Sequence, residues 1–338
     1  MKKISILHTG GTIASKVDYE TGAVVAKFEP EDLYALYPEL KALADFRIVK
    51  VANIMSEDAD FGFINKLALA VKEEIEKGAN GIIITHGTDT MHYTSAALHF
   101  MLENVLVPVV LVGAQRSSDR PSSDAGMNLI CATHFISKID WNGVAICMHE
   151  NQSDESCVIL PGDKARKMHS SRRDAFVSTE KNINAKGVDA FQSFGEPIAR
   201  VSYQTGEIKM LREVKTKKDV FKLNLIDEKI KVGLIKVYPG FDPKILEQFK
   251  DYKCLVIEGT GLGHIPQNCL PVIEGLIKKG VVVVMATQTI FGKVNMNVYS
   301  RGRELLELGV EGNYGELSPE QVFMKMVVEH SVNTRQIT

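Results

Sequence analysis

Short, nearly unbroken apolar runs recur along the chain at 3–8, 46–52, 81–85, 107–112, 143–148 and 156–160, and several of the stretches between them carry apolar residues at helical spacing. Runs this short and uniform mark strands buried on both faces. Between the second and third runs, Ile64, Leu67, Ala68, Val71 and Ile75 fall on one helical stripe. Residues 93–102 predict a second helix and 126–137 a third. Strand and helix alternating at this spacing predict a parallel α/β sheet. From about 203 to 231 long apolar runs give out and polar and charged residues dominate, which predicts a linker. A second alternation follows, with strands at 232–237, 253–258 and 280–285 and helices near 243–250, 268–279, 301–308 and 318–329. The expectation is an α/β protein. Its larger N-terminal domain over 1–202 carries a flavodoxin- or Rossmann-like parallel sheet, 203–231 is the linker, and 232–338 forms a smaller C-terminal α/β domain.

Composition narrows the class. Over 338 residues, 45% are apolar and 24% charged, values that fit a soluble globular protein with a sizeable core. The formal net charge of −2 argues against direct nucleic-acid binding, which needs a basic stripe. Lys164-Ala165-Arg166-Lys167 with Arg172-Arg173, and Lys215 through Lys218, are local clusters, and the second of them reads as a solvated linker face. The apolar stretch after Met1-Lys2-Lys3 is too short for a signal peptide, and no run reaches membrane-spanning length. A cytoplasmic protein without membrane contact is expected. The cysteines at 131, 147, 157, 254 and 269 lack Cys-x-x-Cys spacing and lie mostly in apolar runs, as reduced core residues do. Neither they nor the histidines show metal-ligand spacing, so no zinc site is indicated.

Candidate chemistry gathers where two of the buried runs stop. The first, with Ile4, Ile6 and Leu7, ends in Thr9-Gly10-Gly11-Thr12, whose glycines permit a sharp turn and close approach of a ligand. Taken alone, that segment serves equally as a phosphate cradle ahead of a helix. The second run, Gly81-Ile82-Ile83-Ile84-Thr85, ends in His86-Gly87-Thr88-Asp89-Thr90 and delivers a hydroxyl, a carboxylate and another hydroxyl in succession. That is more polarity than packing requires, although Asp89 or Thr90 also suits a helix cap. Parallel sheets bind ligands at the carboxyl ends of their strands, so two hydroxyls aimed at one crevice point to acyl transfer. A neutral threonine is a poor nucleophile and needs a base. Lys167 or Lys164 is available, and spacing does not choose between them. The polar loop Gly113-Ala114-Gln115-Arg116-Ser117-Ser118-Asp119-Arg120-Pro121-Ser122-Ser123-Asp124 reads either as a site wall or as a surface connection capped by Ser123 or Asp124. Gly259-Thr260-Gly261-Leu262-Gly263 matches a dinucleotide fingerprint only in part. His86 and His169 are assigned plain hydrogen-bonding roles.

Thr9-Gly10-Gly11-Thr12-Ile13-Ala14, His86-Gly87-Thr88-Asp89-Thr90-Met91 and Val112-Gly113-Ala114 together resemble the signature segments of the bacterial-type L-asparaginase family, in a match running from the first strand to about Val310. Segments 115–124, 166–176 and 294–302 are most similar to one branch of it, the glutaminase subunits of archaeal-type glutamyl-tRNA(Gln) amidotransferases. The tail at 311–317 departs from the family's usual run, and the small β-rich domain typical of that branch would lie ahead of Met1. The resemblance implies hydrolysis of the glutamine side-chain amide, with ammonia passed to a partner subunit that holds the tRNA. The alternative it leaves is a free-standing L-asparaginase. It further implies that Thr12 is the attacking threonine and that Thr88, Asp89 and Lys167 form a second triad. In that triad the lysine deprotonates or polarises Thr88, while Asp89 positions it and binds the substrate amino group. Ser56 and Glu57 are the implied grip on the α-carboxylate and amine side, and Tyr19 the implied lid tyrosine that helps activate Thr12. Gly11 and Gly87 would line the substrate, and Ala114 would lie against the scissile amide. The implied course is attack by threonine, an oxyanion held by backbone N–H donors, loss of ammonia and hydrolysis of the acyl-enzyme. No metal or other cofactor is called for, and a homodimer is expected.

Overall fold

A computed structural model describes the chain apart from residues 27, 28, 30–34, 180–194, 214, 215, 217, 218, 313, 314, 316 and 338 and the side chains of 26 and 333–337. The described residues form two compact units, one from Met1–Ser178 and Glu196–Asn224, the other chiefly from Leu225–Thr338.

In the first unit, strands β1 (Lys3–Gly10), β2 (Ser15–Val17), β3 (Val24–Ala26) and β4 (Asp45–Ile54) precede helix α1 (Phe61–Glu76). Next come β5 (Gly81–Thr85), α2 (Met91–Met101), β6 (Leu102–Glu103), β7 (Pro108–Val112), α3 (Ala125–Lys138), β8 (Gly143–His149) and β9 (Ser156–Pro161). The unit ends with β10 (Ala165–Lys167), β11 (Phe176–Ser178), β12 (Ala199–Ser202), β13 (Ile208–Met210) and β14 (Lys222–Leu223). Its centre is an eight-stranded sheet in the order β13-β12-β9-β8-β7-β5-β1-β4. Strands β4, β1, β5, β7 and β8 run parallel, whereas the β8–β9, β9–β12 and β12–β13 pairs are antiparallel. The parallel sheet expected from the pattern is present in those five strands, and the sheet becomes mixed beyond β8. The short connection from β8 to β9 cannot make the crossover that a parallel pair requires.

β5 and β7 are buried at every position, as strands covered on both faces must be. α1 shows how a covering helix is delimited. Asp60 caps it by accepting the Phe63 N–H at 2.7 Å, and Phe63, Ile64, Leu67, Ala68 and Val71 form its buried stripe. It ends at Glu76, two residues before Gly78, whose φ of +88° few other residues adopt. Residues expected as a linker contribute β13 to the sheet edge and β14, which pairs with β6, so the stretch through Asn224 belongs to this unit. Edge strands this short leave no apolar run to read. Of the cluster at Lys215 to Lys218, all but Thr216 lie outside the described residues.

The second unit holds a parallel sheet of β15 (Val232–Lys236), β16 (Cys254–Gly259) and β17 (Val282–Thr287). Its helices are α4 (Leu270–Lys278), α5 (Ser300–Glu307) and α6 (Pro319–Ile337), and the helix expected near 243–250 is a 3-10 helix, Pro243–Phe249. All the cysteines are buried free thiols. No described helix is long and apolar enough to cross a membrane. In the first unit, the chain passes from β1 to β4 on one side and then to β5 on the other. The winding reverses there, which opens a crevice beyond the carboxyl ends of β1 and β5.

Candidate active site

The carboxyl ends of β4, β1, β5 and β7 are drawn together by backbone contacts that only glycine permits. Gly10, at φ +100°, lies so close to Ile54 that a Cβ would fall 2.6 Å from its N and O. Gly11, at φ +76°, abuts Gly87, where an added Cβ would meet the backbone N at 2.4 Å. A Cβ on Gly87 would strike the Ser56 side chain at 2.7 Å, and one on Gly113 the Thr88 methyl at 2.7 Å. Side chains at these positions would force the strand ends apart. The Thr9 hydroxyl adds a tie between β1 and β5 by donating to the Thr85 carbonyl at 2.6 Å. Thr12 and Thr88 follow on directly from the contact between residues 11 and 87.

Thr12 is half-buried at the start of a 3-10 turn, Thr12–Ala14, and Thr88 is buried. Lys167 ends β10 in register with Phe176 of β11, and its Nζ donates to Thr88 Oγ1 at 2.8 Å and to Asp89 Oδ1 at 2.6 Å. The lysine side chain is only 9% exposed, against 67% for Asp89. The ammonium is thus shielded while its counter-ion meets water. Lys164 instead sits in the turn after β9, its N–H on the Pro161 carbonyl at 3.0 Å. Thr90 makes no side-chain cap to α2; its hydroxyl donates to the Ser56 carbonyl at 2.6 Å.

His86 faces the Gly87 carbonyl through Nδ1 at 2.7 Å and the Thr94 hydroxyl through Nε2 at 3.0 Å. A carbonyl only accepts, so Nδ1 carries the proton and Nε2 accepts from the hydroxyl. Burial pushes the imidazole pKa down to about 4, against the pull of the bond to Gly87, and the ring is neutral at pH 7. Its work is to hold a carbonyl, as expected. His169 likewise accepts the N–H groups of Ser171 and Arg172 at 3.0 and 3.1 Å.

The loop from Gly113 to Asp124 is a brace. Asp124 is fully buried and accepts the N–H groups of Gln115 and Arg116 at 3.0 and 3.1 Å, with no side-chain cap to α3. The Ser118 hydroxyl donates to the Ile13 carbonyl at 2.5 Å, and Asp119 accepts the Val17 N–H at 2.8 Å. The segment carrying Thr12 is thereby pinned to the wall formed by this loop, in which Ala114 is fully buried. Ser56 is buried beside Gly87 in the 3-10 turn Ser56–Asp58 after β4, and Glu57 next to it is exposed. Tyr19 is not brought to the site. It stands 91% exposed in the turn between β2 and β3, because the antiparallel pairing of those strands carries residues 18–23 out into solvent. Sequence reasoning passed over Asn128, a polar residue set among the apolar positions of α3. That interruption was its one signal.

Comparison with known proteins places the chain. A model of the N-terminal asparaginase domain matches residues 3–186, and one of the glutaminase/asparaginase C-terminal domain matches residues 231–335. The chain belongs to the asparaginase family. It is an amidohydrolase with this family's α/β fold. A glutamyl-tRNA(Gln) amidotransferase subunit from Methanococcus vannielii is 49% identical over 315 residues, covering 92% of this chain and 70% of its own length. The protein of the same name from Pyrococcus abyssi is 44% identical over 343 residues, covering 100% of this chain and 74% of its own. Among solved structures, the thermostable L-asparaginase of Thermococcus kodakarensis matches with a TM-score of 0.81 at 29% identity, over 99% of this chain and 95% of that one. L-asparaginase I of Vibrio cholerae matches at 0.82 and 28%, over 98% and 93%. For an asparaginase-family enzyme, the arrangement offers a Thr88 hydroxyl held by a shielded lysine, at strand ends from which Thr12 also departs.

Proposed function

We propose that this chain hydrolyses the side-chain amide of L-glutamine and releases ammonia for the amidation of Glu-tRNA(Gln) on a partner subunit. The supporting observation is the shielded Lys167 Nζ between Thr88 Oγ1 and Asp89 Oδ1, at strand ends that also carry Thr12. The relatives named as glutamyl-tRNA(Gln) amidotransferase subunits support the acceptor.

In this reading the Thr12 oxygen attacks the amide carbon and its proton departs with the leaving ammonia. The C–N bond breaks as an ester to Thr12 forms, and water then cleaves that ester to give glutamate. Lys167 polarises the Thr88 hydroxyl by donating to its oxygen, and Asp89 offsets the lysine charge and receives the substrate amino group. Ser56 and Glu57 hold the α-carboxylate and amine side, while Gly11, Gly87 and Ala114 line the amide. Tyr19, on the β2–β3 turn, is the lid tyrosine of this reading. Proton transfer and oxyanion binding each contribute about 10²–10⁴-fold. A cytoplasmic homodimer, with the catalytic work in residues 1–202 and the tRNA held by the partner, completes the reading.

A second reading, a free-standing L-asparaginase, draws on the match to asparaginase structures over nearly the full length of both chains. Ammonia release from glutamine and from asparagine, with and without the partner subunit, ATP and Glu-tRNA(Gln), separates the two. Slow glutamine turnover alone with strong stimulation by the charged partner is expected. Rapid asparagine turnover by the isolated chain, indifferent to the partner, decides for the second reading.

A further inference from the structure

Asn128 has no part in the chemistry just described, yet it is fully buried in the first turn of α3. A carboxamide without partners there would be costly, and this one is fully engaged. Its Nδ2 donates to the Gly113 carbonyl at 3.0 Å, with Asp124 Oδ2 at 3.4 Å and Met148 Sδ at 3.5 Å. Its Oδ1 accepts from His149 Nδ1 at 2.7 Å and from the Cys157 thiol at 3.3 Å. Chemistry dictates this orientation. A carbonyl and a carboxylate only accept, so the amide must turn its NH₂ toward them, and His149 must carry its proton on Nδ1. Turned over, the carboxamide oxygen would face two further acceptors.

The group held by Nδ2 is the Gly113 carbonyl, and with it the planar Gly113–Ala114 peptide. Gly113 is also the residue packed directly against the Thr88 methyl. At the other end of the same loop, Asp124 gathers the N–H groups of Gln115 and Arg116. One side chain therefore spans both ends of the wall behind Thr88. We infer that Asn128 is a positioning residue for amide hydrolysis: it fixes the Gly113–Ala114 peptide plane and thereby the placement of Thr88, with His149 locking its orientation. This inference rests on the role given above to Thr88 and Lys167.

The test measures steady-state ammonia release and thermal melting for the parent chain and five variants. Asn128→Leu is expected to lower kcat about 10²-fold, the scale of an ångström-sized misplacement, with KM changed by less than about threefold. Cys157→Ala removes a contact to the same carboxamide but spares the bond to Gly113, and keeps kcat within about threefold. His149→Asn, whose Nδ2 stands in for the imidazole Nδ1–H that Oδ1 accepts, keeps the activity that His149→Leu loses. That pair reads the same geometry if Asn128→Leu does not fold. The inference is overturned if folded Asn128→Leu has parent-like kcat, if Cys157→Ala loses as much as Asn128→Leu, or if His149→Asn and His149→Leu are equally active. Thr88→Ala, run alongside, separates the two levels. If it keeps full activity the site itself is misassigned, whereas an inactive Thr88→Ala beside a parent-like Asn128→Leu removes only the positioning role.

Discussion

Each unit ends two of its parallel strands in threonine or glycine, β1 and β5 in the first and β16 and β17 in the second, yet the hydroxyls there serve different ends. In the second unit, Thr260 after β16 donates to the His264 carbonyl at 3.3 Å. Thr287, at the end of β17, donates to the Gly261 carbonyl at 2.6 Å with the Thr289 hydroxyl 2.8 Å away. The Gln288 amide spans the carbonyls of Val237 and Glu258 at 3.0 and 3.1 Å. These groups satisfy the main chain of neighbouring strands and turns. The partial dinucleotide fingerprint at 259–263 closes a tight turn in the same way, with the Thr260 N–H on the His264 carbonyl at 2.9 Å. Thr9 and Thr90 do similar service in the first unit. Thr88 differs, because it receives a hydrogen bond from a shielded ammonium that arrives from far along the chain. Of these threonines, Thr88 is the one held by a distant cation, and the others serve the main chain.

Activity is where that contrast breaks most sharply. Thr12→Ala, Thr88→Ala and Lys167→Met are expected to lower ammonia release by about 10³-fold or more, roughly 4 kcal/mol of barrier. Thr287→Val should cost only about 1 kcal/mol of stability and change ammonia release less than about tenfold. A Thr287→Val as inactive as Thr88→Ala would erase the distinction.

Glycines sharpen it next. Gly11→Ala combines φ +76° with a Cβ 2.4 Å from Gly87 N, and is expected to cost about 3 kcal/mol or more. Gly261→Ala, at φ +52° with open space around it, should cost about 1–2 kcal/mol. Equal costs in urea unfolding would mean that backbone strain, not the crowding of strand ends, sets both.

His86 adds a pH dependence that belongs to the first unit. Its folded pKa of about 4 lies below the ordinary 6.5, so the unfolded chain takes up the proton more readily. Its contribution is complete above pH 6.5 and is lost as pH falls toward 4, by about 3 kcal/mol in all. Between pH 7 and pH 5 the stability of the parent relative to His86→Gln should fall by about 2 kcal/mol; an unchanged gap in urea unfolding contradicts the assignment. The smallest stability effect belongs to Asp89→Asn. With the carboxylate 67% exposed, stability should change by less than about 1 kcal/mol while ammonia release drops.

Much of this was legible in the chain. β5 and β7 announced themselves because strands covered on both faces must be apolar at every position. β13 did not, since a three-residue edge strand with two exposed positions has no pattern to show. The glycine-threonine segments around Thr12 and Thr88 were equally plain, because glycines and hydroxyls directly after a buried apolar run stand out within a few positions. Asn128 showed only as a polar break in an apolar helix, and Tyr19 was expected at a site from which the hairpin holds it away.

The amino-acid sequence by itself determined which strands are buried, where they stop and which hydroxyls stand at their ends, since each of these depends on neighbours within a few positions. Only the tertiary structure decided that Lys167 and not Lys164 meets Thr88, and that Asn128 turns its NH₂ to Gly113. Those contacts follow from strand order, register and the matching of donors to acceptors across the fold, and local composition carries none of that information.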